Sequence, residues 1–231
     1  MDHQINPNQS RRPALLVFDV NETLSDMSPL AARFEDIGAP AHLAQTWFAE
    51  LLRDGFALTV SGVAEPFARL GAEMLRLRLE GQDLDRDLDK AVEHVLAGFA
   101  ELKVHPDVPQ GLQALADLGI RLVTLSNGSA QVAQTLVEGA GVRHLFERLL
   151  SVEEAGIWKP ASGAYDYALT ECGVAAQDAM LVAVHPWDID GAARAGLGTA
   201  WISRTGGRYP AHFTAPDLSV ASLPELAAAI A

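Results

Sequence analysis

The chain has 231 residues, 49% hydrophobic and 20% charged, the proportions of a folded globular protein with room for a sizeable core. Its formal charge of −13 excludes a surface built for nucleic acid or anionic membrane, but leaves room for a local cationic pocket. Cys172 is the only cysteine, which excludes internal disulfides and fits a reducing cytoplasm.

The opening residues 1–13, MDHQINPNQSRRP, lack the apolar run of a signal peptide and read as a flexible tail. No later stretch approaches the length of a membrane span. ALLVF, residues 14–18, shows no polar alternation, which fits a strand covered on both faces, as in a parallel sheet. Asp19 stands where that run stops, followed by Asn21, Thr23 and Leu24. In open α/β sheets the groove beyond the strand ends is where ligands bind, so Asp19 is either a site residue or a turn cap.

From about Ser28 to Leu102 the pattern is helical. PAHLAQTWFAELLRDG places Leu43, Trp47, Leu51 and Phe48, Leu52 on one side, with Pro40 suited to a first turn and Gly55 to a stop. DLDRDLDKAVEHVLAGFAEL repeats the device with Leu84, Leu88, Val92, Val95, Leu96 and Phe99. These stripes read as helix-packing core, and the block as a helical domain inserted after the first strand.

Beyond Val104 helices and strands alternate. PQGLQALADLG is a helix ending at Gly119, IRLVTLSN a strand ending at Ser126 and Asn127, and SAQVAQTLVEGAG a helix. RLLSVEEAG carries a short strand, SGAYDYALTECG a helix, and AMLVAVHPWD a strand broken at Pro186. IDGAARAG is a helix, LGTAWISR a strand and LPELAAAIA the closing helix. This alternation predicts an α/β protein with a parallel sheet and right-handed crossovers. The expected organisation is a core of residues 14–24 and 103–231, with residues 25–102 as a helical cap over the strand ends.

Four strand ends then gather polar groups: Asp19 with Thr23, Ser126 with Asn127, Lys159, and His185 with Asp188. Singly each has a plain explanation: Ser126 or Asn127 as an N-cap, Lys159 in a solvated loop, Asp188 capping IDGAARAG. Together, at one edge of one sheet, they read as a site.

FDVNETL, LVTLSNGS, WKPASGAY and HPWDIDGAARAGL, in this order and spacing, resemble the haloacid dehalogenase superfamily over most of the chain, from Ala14 to Arg204. The resemblance implies a Rossmann-like sheet with a mobile cap. It also implies Asp19 as nucleophile, supported by Thr23, Ser126, Lys159 and Asp188. The chemistry suits those types: a carboxylate must be ionised, fixed in line and partly desolvated, and an adjacent ammonium keeps it charged.

Members that transfer phosphoryl groups carry a second carboxylate two residues after the nucleophile and another opening the fourth motif, which holds magnesium. Here those positions are Asn21 and Ala183. Asn21 cannot act as acid or base, and Ala183 offers a hard cation no oxygen. The resemblance therefore narrows to the metal-free 2-haloacid dehalogenases and implies no cofactor; halide leaves without a proton, so the missing acid is no loss. Tyr165, at its spacing from Lys159, and the Trp187-Asp188 pair match that branch. It implies attack by Asp19 at the α-carbon with inversion, then hydrolysis of the aspartyl ester by water. Ser126 and Tyr165 would orient the substrate carboxylate, and Asn127 and Trp187 would line the halide side. Asn21 and Trp47 complete the expected substrate-binding set.

The chain departs from that pattern at Asn21, often aromatic in the family, and at His185, usually asparagine. His185 is expected to face Asp19, either as a structural histidine or as the base of the second step. The family's cap arginine is also missing; Arg33 is the nearest substitute as a halide ligand, and His42 reads as helix surface. Alternatives are a phosphatase or phosphonatase of the same fold, or a catalytically silent protein that binds a small acid. The expected partners are a 2-haloacid, water and halide. A homodimer is common in the family, though composition does not establish one.

Overall fold

The computed structural model describes residues 12–231. A strand β1, Leu15–Phe18, occupies the interior of a six-stranded sheet, and all four of its residues are buried. It pairs in parallel with β4, Arg121–Ser126, on one side and with β6, Ala179–Ala183, on the other. β5, Arg148–Ser151, extends one edge; β7, Gly198–Ile202, and β8, Leu218–Val220, extend the other. The order is β5-β4-β1-β6-β7-β8, every pairing parallel.

The period of two along a strand explains the unbroken apolar run of β1. Leu16 and Phe18 face a core shared with α5, Val108–Asp117, α6, Ala130–Gly139, and α10, Leu223–Ile230. Leu15 and Val17 face the opposite core, with α8, Ser162–Cys172, and α9, Pro186–Arg194. Neither face of β1 meets water, so neither needs a polar residue until the strand ends.

Between β1 and β4 the chain builds a helical insert: α1, Leu30–Glu35, α2, Leu43–Val60, α3, Phe67–Leu79, and α4, Leu88–Ala100. A ribbon of β2, Ser25–Asp26, and β3, Lys103–Val104, joins the insert's two ends, with Ser25 opposite Val104 and Asp26 opposite Lys103. Trp47, Leu51, Leu75 and Val95 are fully buried among these helices, as the stripes require. A short helix α7, Val152–Ala155, follows β5. Among the described residues, no helix is long and apolar enough to cross a membrane.

Several local expectations need correction. Most of the proposed tail, residues 1–11, lies outside the described residues, but Arg12 is anchored, donating to Ile230 O at 3.1 Å and Leu118 O at 3.3 Å. Pro40 precedes α2, whose first turn begins at Leu43, and Leu84 lies outside α4, which Asp87 caps by accepting from Lys90 N–H. Ser129, rather than Ser126 or Asn127, caps α6. Asp188 caps nothing; it lies in the first turn of a helix that starts at Pro186.

Gly55 is not a stop. α2 runs through it to Val60, and a Cβ there would lie 2.4 Å from Trp158 Cζ3, so only glycine admits the indole. Gly55→Ala should therefore destabilise the fold. The gain in helix propensity is about 1 kcal/mol, against about 1–3 kcal/mol for overpacking a tryptophan that is 1% exposed. Urea denaturation gives the sign; a more stable variant would mean that Trp158 can shift freely.

Candidate active site

Asp19 follows β1 directly, and its backbone N–H still donates to Val182 O at 3.0 Å. The chain then turns tightly: Leu24 N–H and Ser25 N–H both donate to Val20 O, and Glu22 takes a left-handed φ of 61°. This turn brings Thr23 back onto the aspartate. Its hydroxyl donates to Asp19 Oδ2 at 2.7 Å and accepts from Val184 N–H at 3.1 Å, fixing the carboxylate to the end of β6.

Lys159 enters from the loop before α8, and Asn127 clamps its backbone. The Asn127 amide donates to Lys159 O at 3.2 Å and accepts from Lys159 N–H at 3.0 Å. The fully buried ammonium donates to Asp19 Oδ1 at 2.9 Å and to Asp188 Oδ2 at 2.6 Å. Asp188 is in turn held by the Tyr165 hydroxyl, which donates to its Oδ1 at 2.6 Å. Gly191, one turn along α9, permits this approach, since a Cβ there would lie 2.6 Å from the Tyr165 hydroxyl oxygen.

His185 precedes α9 and stacks on Trp187, ring centroids 4.9 Å apart at 28°. Its Nδ1 lies 3.1 Å from Asp19 Oδ2 and its Nε2 lies 2.9 Å from Glu22 Oε2. Phe48 of α2 covers this pair, and Phe56 of the same helix packs edge-on against Trp187 at 4.9 Å. The insert thus roofs the strand ends with aromatic rings, and Asp19 is only 4% exposed.

Two carboxylates and two cations share this dry space, and their protonation follows from the pairing. Burial opposes ionisation of Asp19, but Lys159, then the His185 and Thr23 donors, hold its pKa well below the usual carboxylate range. Burial pushes Asp188 up, against the pull of Lys159. Lys159 is raised despite its burial, because Asp188 and Asp19 face it together. Burial also works against charging His185, yet hydrogen bonds to Asp19 and Glu22 push its pKa up to about 9. At neutral pH, Asp19 is therefore a carboxylate that accepts from a hydroxyl, an ammonium and an imidazolium.

The structure brings together most of the residues read from the sequence, with different duties for some. Tyr165 is fully buried behind Asp188 and has no face for a substrate carboxylate. Asn127 spends its amide on the Lys159 backbone. Trp47 is fully buried in the aromatic core of the insert, donating to Gly71 O at 2.9 Å and packing edge-on against Phe99. Arg33 pairs with Glu101 on the insert's surface. Ser126 and Asn21 meet near Gly128: a Cβ there would lie 3.3 Å from Ser126 Oγ and 3.7 Å from Asn21 Nδ2. Ser126 Oγ accepts from Gly128 N–H at 2.9 Å.

Sequence reading passed over Glu22, although it stands inside the quoted FDVNETL. It also missed a cavity of about 610 Å³ beside the site, whose wall includes Glu22, His42, Gln45, Phe48, His185 and Arg204. His42, read as plain helix surface, faces this cavity. Among the described residues, no cluster of three or more His, Cys, Asp or Glu side chains is arranged to hold a metal.

The family model of haloacid dehalogenase-like hydrolases matches residues 13–196. The haloacetate dehalogenase H-2 of Moraxella sp. (strain B) is 29% identical, the match covering 89% of this chain and 92% of that protein. The (S)-2-haloacid dehalogenase of Pseudomonas sp. (strain YL) is also 29% identical, with 90% of each chain covered. A crystal structure of an L-2-haloacid dehalogenase superposes with a TM-score of 0.88 at 27% identity, over 95% of this chain and 99% of that one. The chain belongs to the haloacid dehalogenase-like hydrolase family.

Proposed function

We propose that this protein hydrolyses short 2-haloacids to 2-hydroxyacids through an ester on Asp19. One observation carries the reading. Asp19 is fixed through both oxygens by Thr23, Lys159 and His185, while the positions that would serve phosphoryl transfer hold Asn21 and the buried Ala183. Such a site supports a carboxylate nucleophile, yet has an amide in place of a carboxyl two residues after it and no oxygen ligand at the end of β6. Halide needs neither.

In this mechanism Asp19 attacks the α-carbon from the side opposite the halogen, the carbon–halogen bond breaks, and the centre inverts. Ser126, Asn21 and the N–H groups leading into α6 receive the substrate carboxylate. Trp187 and the roofing rings of α2 exclude water during displacement. Helices α1 to α4 act as a cap whose movement admits substrate. Lys159 keeps Asp19 ionised, and Asp188, held by Tyr165, keeps Lys159 in place.

The direct test is halide release from both enantiomers of 2-chloropropionate. The S form should be consumed and the R hydroxyacid formed, with activity intact after exhaustive chelation. Equal use of both enantiomers would contradict a single attack geometry. Activity that vanishes on chelation and returns with magnesium would favour a phosphatase-like reaction, and no halide from any 2-haloacid would favour a binding protein.

His185 serves the second step. As an imidazolium in the resting site it can donate to Asp19 but cannot accept a proton. Esterification removes the Asp19 charge, which releases the imidazolium proton and leaves a neutral imidazole beside the ester carbonyl. Water then attacks that carbonyl as His185 takes its proton. His185→Ala should give a near-stoichiometric burst of halide and then stall, with the ester visible on Asp19 by mass spectrometry. A variant that turns over normally would reduce His185 to a structural role.

A further inference from the structure

Glu22 is the one residue of the Asp19 turn whose conformation its own side chain disfavours. It holds φ at 61° without being glycine, a backbone position that L-residues with a long side chain disfavour. Three contacts maintain it. Its N–H donates to Ser25 Oγ at 3.2 Å, and its carbonyl accepts from His105 Nε2 at 3.0 Å. Its carboxylate meets His185 Nε2 at 2.9 Å. The first two belong to the turn's backbone. The third is directed at the ring that also touches the nucleophile.

The imidazole is therefore bracketed. One nitrogen faces Asp19 and the other faces Glu22, a line of carboxylate, imidazole and carboxylate from the buried site to the cavity wall. The exposures grade in the same direction: the Asp19 side chain is 5% exposed, His185 11% and Glu22 43%. We infer that Glu22 is a positioning residue for ester hydrolysis, orienting His185 and passing its proton to the solvent of the cavity. The inference rests on the dehalogenase reading above and adds to it the route by which the proton leaves.

The protons balance along this route. The resting site holds ionised Asp19 and charged His185. Displacement forms the ester and expels halide with no proton moved. The imidazolium then gives one proton to the cavity water past Glu22, and the proton the ring keeps sits on Nε2, where the Glu22 carboxylate accepts it, so that Nδ1 is left free. Neutral His185 next takes one proton of the attacking water at Nδ1. Collapse of the tetrahedral intermediate breaks the acyl–oxygen bond, and the departing hydroxyacid oxygen takes the other proton from the water-derived hydroxyl, which stays on Asp19 as a carboxylate oxygen. One halide and one proton leave per turnover, and the site returns to its resting charge. Nδ1 can face the ester only while Nε2 is held on the far side, which is what Glu22 does. Both of its functions need a carboxylate.

His185 has other charged neighbours that enter the expected pH behaviour. Lys159 and Asp188 lie behind Asp19, and Asp26, His42, His105 and Arg204 border the same cavity. None of these is paired with the ring itself; Asp19 and Glu22 are.

The test compares wild type with Glu22→Gln and Glu22→Gly, the second of which suits the left-handed backbone and removes the side chain entirely. With (S)-2-chloropropionate, rapid-quench kinetics should show an unchanged halide burst in both variants. The following ester-hydrolysis phase should be at least roughly tenfold slower. Its rising pH limb should move to lower pH by about one unit, since a carboxylate no longer stabilises the imidazolium. Glu22→Asp should recover part of the rate. An unaltered slow phase with an unaltered pH limb would overturn the inference, as would loss of the burst in folded Glu22→Gly. Histidine-selective NMR of the substrate-free protein separates this result from the fate of the dehalogenase reading. His185 should titrate at lower pH in Glu22→Gln than in wild type. If wild type releases no halide, the dehalogenase reading fails and the relay fails with it; an unshifted His185 titration overturns the relay even in an active dehalogenase.

Discussion

Asp19→Asn should lower turnover by on the order of 10⁴-fold or more while leaving the protein folded. The amide keeps the shape and can still accept from Thr23, but it is neutral and a far weaker nucleophile. Lys159 retains Asp188 at 2.6 Å, so the variant does not leave the buried ammonium without an anion. The loss should thus be chemical rather than structural, and thermal unfolding should separate the two. A single turnover of wild type in heavy-oxygen water completes the test. Water attacks the ester carbonyl, so the label should enter Asp19 and appear in the product only in later turnovers. Label in the first product, with Asp19 unlabelled, would mean that water attacks the α-carbon directly.

Lys159→Met should abolish activity and also destabilise the fold, by about 3–5 kcal/mol at neutral pH. Methionine fills most of the volume but leaves Asp19 and Asp188 facing each other in a dry site. The sign of the pH dependence distinguishes this from a packing defect. In wild type the Asp19 pKa is depressed, so its contribution to stability is present above the unfolded carboxylate range and lost as pH falls through the lowered value. Without the ammonium, burial raises both carboxylates, and the folded state then binds protons more tightly than the unfolded chain. Such groups lose stability as pH rises. His185 still faces Asp19 and offsets part of this. The gap between wild type and variant should therefore widen from pH 4 to pH 8 in urea denaturation. A gap that stays constant would point to packing alone.

Much of this site was legible in the sequence because burial on both faces leaves a recognisable trace. β1 and β6 read as apolar runs, so the polar residues at their ends stood out, and the motif spacing tied Lys159 and Asp188 to Asp19. β8 left no such trace: it is an edge strand whose three residues are all at least partly exposed, and its sequence resembles the surrounding loop. Partners distant in the chain were equally hidden. Nothing near Gly55 announces that Trp158 will press against it, and nothing near Tyr165 says that its hydroxyl will be spent on Asp188. Trp47 misled because a tryptophan on an amphipathic helix looks the same from sequence whether it faces a cleft or a core. Glu22 was passed over because its importance depends on a backbone turn that only the folded loop reveals.

The ribbon of Ser25–Asp26 and Lys103–Val104 has a consequence for how such a chain can change over evolutionary time. Paired strands lie roughly 4.8 Å apart, so the whole helical segment between them leaves and rejoins the sheet through one narrow doorway. A segment attached in this way behaves as a cassette. It can be lengthened, trimmed or exchanged by a single genetic event without re-threading any strand, because the chain passes between the two only through this short ribbon. Phe48 and Phe56, which cover the strand ends, travel with the cassette, whereas Asp19, Lys159 and Asp188 stay with the sheet. What covers the strand ends and what stands at them therefore occupy separate stretches of the gene, free to drift at different rates.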